Sequence, residues 1–354
     1  MRSKTWTLNA ISLCLLPLLT AGCLSDNLLS DHPDTPTGPI EIRMKSYIAD
    51  NTMGTRADDV KGIIKEGTAF NVSFARANEG SSGYSDASFS LVNSTGTVSS
   101  SGSPYNLTFN PAIYYQTTKS KKTKLIGWHP AGGTLSDGKV TFSTALDGET
   151  DVMATSLVEG CQDKTITSVI FDHLLTQISV KVYAADDATK GLWGGIKSIK
   201  VKGKGQSYTL TLPATSANAG TKITTVGFTG SDNLPLVQKD PSNNTEIQQG
   251  NSAYGESNPL ALGSNDSKTL AGYAMFAPVT GADSKIELIV ETKDGGTQTV
   301  DVNAPTNTVD GSSTTGFLAG YSYVVTLKFS SAGIAPTVSV TGWKTGTDPG
   351  EVTV

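Results

Sequence analysis

Short stretches of alternating apolar and polar residues begin at residue 40 and continue along the chain. In IEIRMKSYI, at residues 40–48, Ile40, Ile42 and Met44 are separated by charged residues, and TAFNVSFAR, at residues 68–76, has the same period of two. Successive side chains of a β-strand point to opposite faces of a sheet. Each stretch is therefore predicted to be a strand with one buried and one solvated face.

The later stretches predict an all-β chain. They are short, rich in Val, Ile, Thr, Tyr and Phe, and bounded by Gly, Ser, Asn or Asp, and the chain contains 37 glycines. No long stretch has the 3.6-residue period of an amphipathic helix. Many short strands separated by turn residues are typical of antiparallel β-sandwiches, which are the predicted architecture.

The predicted organisation has four parts. They are a signal peptide at residues 1–22, a flexible tether at 23–39, an N-terminal β-sandwich at 40–186 and a C-terminal β-sandwich at 187–354. The tether is predicted from LSDNLLSDHPDTPTGP, which is polar, acidic and contains prolines. The boundary between the sandwiches falls in AADDATKGLWGG, at residues 184–195, where the strand-like alternation stops.

The N-terminus combines a basic start, a short apolar run and a cysteine. Arg2 and Lys4 precede an apolar run that ends at Leu19. A helix needs about 20 apolar residues to cross a membrane, so this run is typical of a secretory signal instead. The sequence LTAGC, at residues 19–23, is similar to a bacterial lipobox, in which the cysteine is acylated. We therefore expect Cys23 to carry palmitate or related chains as an outer-membrane anchor, the alternative being an ordinary signal with an incidental cysteine.

The cysteine content and the net charge indicate which bonds and binding partners to expect. If Cys14 leaves with the signal and Cys23 is acylated, Cys161 is the last cysteine, so no intrachain disulfide is expected. The formal net charge is −5 and there is no basic stripe, so nucleic acid is not an expected partner. One lysine cluster is interpreted as a solvated turn; it consists of Lys119, Lys121, Lys122 and Lys124.

Motifs for catalysis or metal binding are weak. The chain has three histidines and no metalloprotease, serine-hydrolase or P-loop motif. His173 lies in a strand-like stretch and is predicted to be a hydrogen-bonded structural residue. Asp147, Glu149 and Asp151 alternate and could hold calcium, although a turn leading into a strand is favoured. We expect no enzyme activity, metal or cofactor; a hydrolase with paired carboxylates is the alternative.

Several segments occur together in a recognisable order. They are AIYYQ (112–116), KLIGWHP (124–130), DGKVTFSTALDGETDVMAT (137–155), FDHLLTQISVKVY (171–183), IKSIKVKG (196–203), FLAGYSYVVTLKF (317–329) and GIAPTVSVTGWKTG (333–346). This set resembles the fimbrillin-like proteins, which are shaft and accessory subunits of type V pili in Bacteroidales. The resemblance covers about residues 40–345. It implies two tandem transthyretin-like β-sandwich domains, export as a lipoprotein, and a place at the cell surface in a fimbrium.

The resemblance also implies a mode of assembly. In this family an arginine-specific protease cuts after the first strand, and a strand from another subunit fills the vacated groove. In this chain the removable strand would contain Ile40, Ile42 and Met44. The cut would fall between Arg56 and Ala57, in MGTRADD. A cut at Arg43 is a weaker alternative because Arg43 lies inside the strand pattern, and Arg56 could also be only a solvated loop residue.

In this family the donated strand is generally the C-terminal one. APTVSVTGW contains Val338 and Val340, and EVTV contains Val352 and Val354. These four valines are the candidate donor residues, and an ordinary closing strand of the second domain is the alternative.

The leading hypothesis is a structural and adhesive pilus subunit whose partners are other pilus subunits and an unknown surface ligand. Asn-, Ser- and Gly-rich stretches within residues 231–267 predict long surface loops, which favour a tip or accessory role over a shaft or anchor role. The alternatives are a monomeric surface lipoprotein that binds glycans or proteins, and a lipid-anchored hydrolase.

Overall fold

Almost every described element of the structure is a β-strand. The structure is a computed structural model and describes residues 38–49, 69–84, 88–99, 105–223, 225–281, 284–309 and 312–342. Within these residues there are 24 strands and one short helix. No helix in this part of the chain is long and apolar enough to cross a membrane. The predicted all-β sandwich class is confirmed.

Twelve strands precede the helix. They are β1 (Met44–Ile48), β2 (Phe70–Asn78), β3 (Ser90–Leu91), β4 (Thr95–Val98), β5 (Tyr105–Asn110), β6 (Thr123–His129), β7 (Thr134–Ser136), β8 (Lys139–Phe142), β9 (Met153–Thr155), β10 (Val158–Gly160), β11 (Ser168–His173) and β12 (Thr176–Ala184).

The helix and twelve more strands follow. They are α1 (Asp187–Trp193), β13 (Ile196–Thr211), β14 (Thr225–Pro235), β15 (Gln248–Gln249), β16 (Ser252–Ala253), β17 (Thr269–Phe276), β18 (Val279–Thr280), β19 (Lys285–Thr292), β20 (Thr297–Asn303), β21 (Thr306–Val309), β22 (Ser312–Phe317), β23 (Tyr321–Ser330) and β24 (Gly333–Gly342).

The N-terminal sheet closes on itself. Its strand order is β10-β6-β9-β11-β1-β5-β4-β2-β3, and β2 also pairs with β6. The pairings β6-β9-β11-β1-β5-β4-β2 therefore return to β6, and each of these seven strands has a hydrogen-bonded neighbour on both sides. We call this arrangement the closed ring. A closed sheet has no free edge, and its inward side chains form one core, here including Phe74, Leu107 and Phe171.

A second pair of layers forms the C-terminal part. The four-stranded sheet β17-β12-β23-β24 packs against β13, β19 and β20 of a six-stranded sheet. Fully buried side chains of both sheets, such as Val180, Val290 and Tyr323, fill the space between them. Side chains that alternate between two faces produce this face-to-face packing.

Some pairings cross the predicted boundary at residues 186 and 187. The six-stranded sheet has the order β20-β19-β13-β8-β7 with β14 paired to β13, and thus joins strands from both sides of α1. A further buried cluster combines Trp128 and Val140 with Tyr208 and Met275. The division into domains at 40–186 and 187–354 stays a prediction.

Helix α1 lies at that boundary and was not predicted. Asp186 caps its start, where the side chain accepts a hydrogen bond from the Thr189 N–H at 2.7 Å; this bond lowers the pKa of Asp186. Gly194 ends the helix with a left-handed φ of 63°. Aspartate before a helix and glycine after it are standard caps, so the sequence did contain a signal. Seven residues are too few to show a helical period.

The interpretation of the lysine cluster as solvated is wrong for Lys124. The residue lies in β6 and is 3% exposed. The Nζ atom donates to the carbonyl oxygens of Thr215 at 2.7 Å and Ala217 at 2.6 Å, and it lies 4.0 Å from the ring centroid of Tyr84. These groups replace water around the ammonium ion, which a local sequence pattern cannot reveal.

The core of the closed ring can be tested with two neighbouring residues of β11. Phe171 is fully buried and makes edge-on contacts with Phe70 and Phe74, whereas Ile170 is 50% exposed. We expect Phe171→Ala to lower the free energy of unfolding by about 3–5 kcal/mol, because it leaves a cavity. The control Ile170→Ala should lower it by less than about 1 kcal/mol. Urea unfolding measures both values, and equal losses would contradict the inward placement of Phe171.

Candidate functional site

The candidate site is residues 40–48 and the groove that this segment fills. Strand β1 runs parallel to β11, with Ile48 opposite Phe171, and antiparallel to β5, with Met44 opposite Leu107. The preceding residues are held as well. The Ile42 N–H donates to the Ile113 carbonyl at 2.8 Å, and the Tyr115 N–H donates to the Ile40 carbonyl at 2.9 Å. The segment is thus an integral part of the closed ring.

The inward side chains of the segment enter the apolar core. Ile42 is 1% exposed, Met44 is 5% exposed, and both pack in the cluster that contains Phe74 and Phe171. Ile40 and Ile48 are partly buried at the edges of the same cluster. The period of two predicted from the sequence is therefore present in the structure at these positions. The apolar sockets of the groove are the spaces that these side chains occupy.

The outward side chains hold the segment only weakly. Arg43 pairs with Glu41 at 2.6 Å on the surface, and this neighbour raises the pKa of Arg43. Lys45 donates to the Asn106 side chain. The exposed Arg43–Glu41 pair lies within the segment and so does not attach it to β5 or β11, and exposed pairs contribute little to stability in any case. The backbone hydrogen bonds and the buried sockets therefore supply most of the attachment.

One socket of the groove is filled imperfectly. Ser46 is 1% exposed, and its hydroxyl has no hydrogen-bond partner among the described residues. Its cross-strand neighbours are Val169 in β11 and Tyr105 in β5. A buried hydroxyl without a partner loses its hydrogen bonds to water and forms none in the protein, which destabilises the folded state. Ser46 is thus a point at which the resident strand fits its groove poorly, and no sequence pattern indicated it.

An open groove lies beside the start of β1. It has a volume of about 660 Å³ and runs along Arg43, between Asn106–Thr108 of β5 and the residues Thr165–Thr167 that lead into β11. The Lys45 N–H donates to the Thr167 carbonyl at 2.9 Å at its edge. Solvent therefore reaches the backbone of the segment at this end.

The three acidic residues considered for calcium do not converge. Asp147 accepts hydrogen bonds from the backbone of Glu149 and Thr150, and Glu149 pairs with Lys239 at 2.6 Å. Asp151 is buried and lies 2.5 Å from Nδ1 of His173. No group of three or more metal-binding side chains occurs in the part of the chain that the structure covers. The prediction that His173 is hydrogen-bonded is confirmed, and its purely structural role stays a prediction.

The other predicted site residues fall into two groups. Val338 and Val340 lie in β24, are half-buried, and pack against the C-terminal core. The remaining residues lie outside the described part of the chain; they are Cys23, Arg56, Ala57, Val352 and Val354. Their roles stay predictions.

Strand β24 lies at the end of its sheet in the strand order. It pairs with β23 over its whole length, from Tyr321 opposite Gly342 to Ser330 opposite Gly333. From Ile334 onward its half-buried positions alternate with exposed ones; these half-buried positions are Ile334, Pro336, Val338 and Val340. This spacing is the same as that of the inward residues of the first segment.

Comparison with known proteins identifies the family. The model of the fimbrillin-like family matches residues 55–343. The chain belongs to the fimbrillin-like family. This membership points to a pilus or adhesion subunit and to a structural, non-enzymatic protein. No relative was found among curated proteins.

Several solved structures are similar to this fimbrillin-like chain. A candidate cell adhesion protein from Bacteroides uniformis has a TM-score of 0.50 and 15% identity, covering 86% of this chain and 98% of that one. One from Bacteroides ovatus has a TM-score of 0.47 and 13% identity, covering 88% and 100%. The tip fimbrial protein Mfa3 from Porphyromonas gingivalis, with a C-terminal truncation, has a TM-score of 0.40 and 9% identity, covering 86% and 100%. At 15% identity, the first comparison shows a shared fold alone.

The imperfect socket gives a test of the groove. We expect Ser46→Ala to raise the free energy of unfolding by about 1 kcal/mol, because it removes a buried hydroxyl without a partner and keeps the shape. Ser73→Ala in β2 is the matched control. The Ser73 hydroxyl accepts the Gly132 N–H at 2.9 Å, so its loss should lower stability by a similar amount. Chemical denaturation of both variants gives the signs; destabilisation by Ser46→Ala would show that its hydroxyl is satisfied.

Proposed function

We propose that this protein is a subunit of a cell-surface type V pilus that is exported as a lipoprotein and assembles by strand exchange after proteolysis. One observation carries the proposal: β1, with the hydrogen-bonded residues 40–43 before it, belongs to the closed ring and is also the first strand of the described fold. A single cut between β1 and β2 is therefore enough to detach it. Any other strand of the ring would need two cuts.

Loss of the first segment would create a binding site. The N–H and C=O groups of β5 and β11 that now pair with β1 would lack partners. The sockets of Ile42 and Met44 would be open, and each buried side chain of this type contributes about 1.5–3 kcal/mol. An extended segment with alternating apolar residues restores both the hydrogen bonds and the apolar contacts.

The proposed cut falls at Arg56–Ala57, between β1 and β2. It would separate the lipid-bearing Cys23, the tether and β1 from the rest of the chain in one step. Arg43 is disfavoured as the cut because the residues on both sides of it are hydrogen-bonded in the ring, at Ile42 and Lys45. Proteases require an extended backbone that is free of such pairing.

The C-terminal segment that starts with β24 is the proposed donor. From Ile334 to Val340 its half-buried positions match the inward positions of the first segment in spacing, and among the described strands it has a hydrogen-bonded neighbour on only one side. Val352 and Val354 follow this strand in the sequence, after residues 341–351, and are again two positions apart. The open groove beside Arg43 would give the incoming segment its first contacts.

The proposed position in the pilus is the tip or an accessory site. Acyl chains on Cys23 would hold the precursor at the outer membrane until the cut releases it into the fimbrium. Residues 236–263 include only the two-residue strands β15 and β16 and short bridges, so most of this surface is loop. Loops on a rigid sandwich are the usual place for ligand contacts.

Cleavage can be tested with an arginine-specific protease. We expect the wild-type chain to be cut after Arg56 and then to form ladders that resist SDS, because strand exchange links the subunits. Arg56→Gln should abolish both results, and the control Arg43→Gln should abolish neither. Mass spectrometry locates the cut and gel electrophoresis follows the ladders. Assembly of the Arg56→Gln variant would contradict the proposed site.

Donor identity can be tested with peptides added to the cleaved subunit. We expect a peptide of residues 333–354 to displace a labelled peptide of residues 40–48, because it restores both the ladder and the apolar contacts. The same peptide with Val338→Asp and Val340→Asp should fail, since charges would enter apolar sockets. A peptide of residues 343–354 should act more weakly. Fluorescence anisotropy measures the displacement. If the Asp-substituted peptide were as effective as the natural one, β24 would not be the donor.

A further inference from the structure

A second cavity lies away from β1. It has a volume of about 460 Å³ and lies between the turn after β6, the hairpin β7–β8 and the loop before β9. Phe142 and Tyr208, which are cross-strand partners in β8 and β13, form its aromatic floor. Their rings are stacked, with centroids 4.5 Å apart and an interplanar angle of 16°. Leu146 and Val152 complete the apolar part of the lining.

The rim of this cavity is polar and carries one charge. Its hydroxyl groups come from Thr134, Thr141, Ser143, Thr144 and Thr150. The charged group is the carboxylate of Asp147, and no cationic side chain belongs to the described lining. Asp147 accepts three hydrogen bonds, from the backbone of Glu149 and from the backbone and hydroxyl of Thr150. A carboxylate has about four acceptor positions, so one is left for a ligand.

The walls of the cavity are fixed before any ligand binds. On one side, the Trp128 indole N–H donates to the Gly132 carbonyl at 2.9 Å, and the Gly132 N–H donates to Ser73 at 2.9 Å. On the other side, the Leu146 N–H donates to the Gln206 carbonyl at 2.8 Å. A preformed cavity loses little entropy when it takes up a ligand.

We propose that this cavity binds a neutral carbohydrate. A pyranose ring has an apolar C–H face that can lie on Phe142, and its hydroxyls can bond to the hydroxyl rim and to Asp147. The volume falls within the usual range of ligand pockets, about 300–1,000 Å³, which is enough for one or two sugar rings. The Asp147 carboxylate, without a cation beside it, disfavours acidic sugars. Because adhesion requires a ligand, this site rests on the adhesive role proposed above and gives it a ligand class.

Burial of Tyr208 fits this chemistry. Its pKa is raised, first by burial and then by the nearby carboxylates of Asp147 and Asp151. A phenol is neutral at physiological pH even at its ordinary pKa of about 10, and the upward shift keeps it so; Tyr208 therefore adds no charge to the cavity.

The test is binding of single sugars to the purified full chain. The probes are D-mannose, D-galactose, L-fucose and N-acetylglucosamine, with N-acetylneuraminic acid as the acidic comparison. We expect saturable binding of at least one neutral sugar with Kd of the order of ~1 mM, measured by saturation-transfer NMR and calorimetry. Absence of binding for all four neutral sugars, or tighter binding of the acidic sugar than of any neutral one, would overturn the proposal.

Variants locate the binding. Phe142→Ala should weaken the affinity at least tenfold, and Asp147→Asn, which keeps an acceptor oxygen for the turn, should weaken it several-fold. Ala145 is exposed and lines the cavity, so the arginine in Ala145→Arg should block the cavity entrance and abolish binding without disturbing the core. This variant tests the site even if Phe142→Ala fails to fold. The control is Tyr114→Ala, an exposed aromatic residue outside the lining. Unchanged affinity in Ala145→Arg would refute the site.

The carbohydrate-binding proposal and the strand-exchange proposal can be tested independently of each other. Sugar binding is measured on the uncleaved chain, whereas ladder formation is measured after cleavage at Arg56. A chain that forms ladders but binds no sugar would overturn the carbohydrate site alone. A chain that binds sugar but forms no ladders would overturn strand exchange and leave the site in place.

Discussion

Closure of the N-terminal sheet is the constraint on which the rest of the structure depends. Because β2 pairs with both β4 and β6, seven strands form a ring without a free edge. Unpaired edges are the usual route by which β-proteins associate, and a ring prevents this. The same closure makes each strand indispensable, since removal of one strand creates two edges and opens the core at once. In the proposed scheme, one strand, β1, keeps the ring closed in the intact chain and opens it for polymerisation when it is removed.

In the proposed scheme, β1 is held firmly while it belongs to the same chain and can be replaced after the cut. The one ion pair, Arg43–Glu41, lies within the segment itself, and the Ser46 hydroxyl is buried without a partner among the described residues, so the fit relies on the backbone ladder and on Ile42 and Met44. A strand in the same chain returns to its groove at a high effective concentration, which a cut would remove. A competing segment then needs only to fit slightly better than the resident one. The imperfect socket would therefore make exchange easier without preventing the precursor from folding.

The local parts of this architecture could be predicted from the sequence, and the non-local parts could not. The alternation in residues 40–48 placed Ile42 and Met44 on the buried face, because the direction of a strand side chain depends only on its position along the strand. Ring closure depends on which strands meet, for example Ser73 with Trp128, and no local period records that. Lys124 was misjudged for the same reason, since the carbonyl groups that bind it come from a distant loop. Of the cavity lining, Asp147 was noticed in the sequence, but its relation to Phe142 and Tyr208 required the register of β8 with β13.

The arrangement of the ring also separates the two proposed activities. In the ring, two strands, β9 and β11, lie between β6 and β1. Two others, β4 and β5, lie between β2 and β1. The β2–β6 pair is therefore on the opposite side of the ring from β1. One wall of the carbohydrate cavity is anchored on this pair, through Trp128 in β6 and Ser73 in β2. Exchange of β1 leaves the register of β2 with β6 intact in this scheme. A subunit could therefore change its first strand for a neighbour's segment while the cavity keeps its shape, and this independence is what an adhesive subunit within a polymer requires.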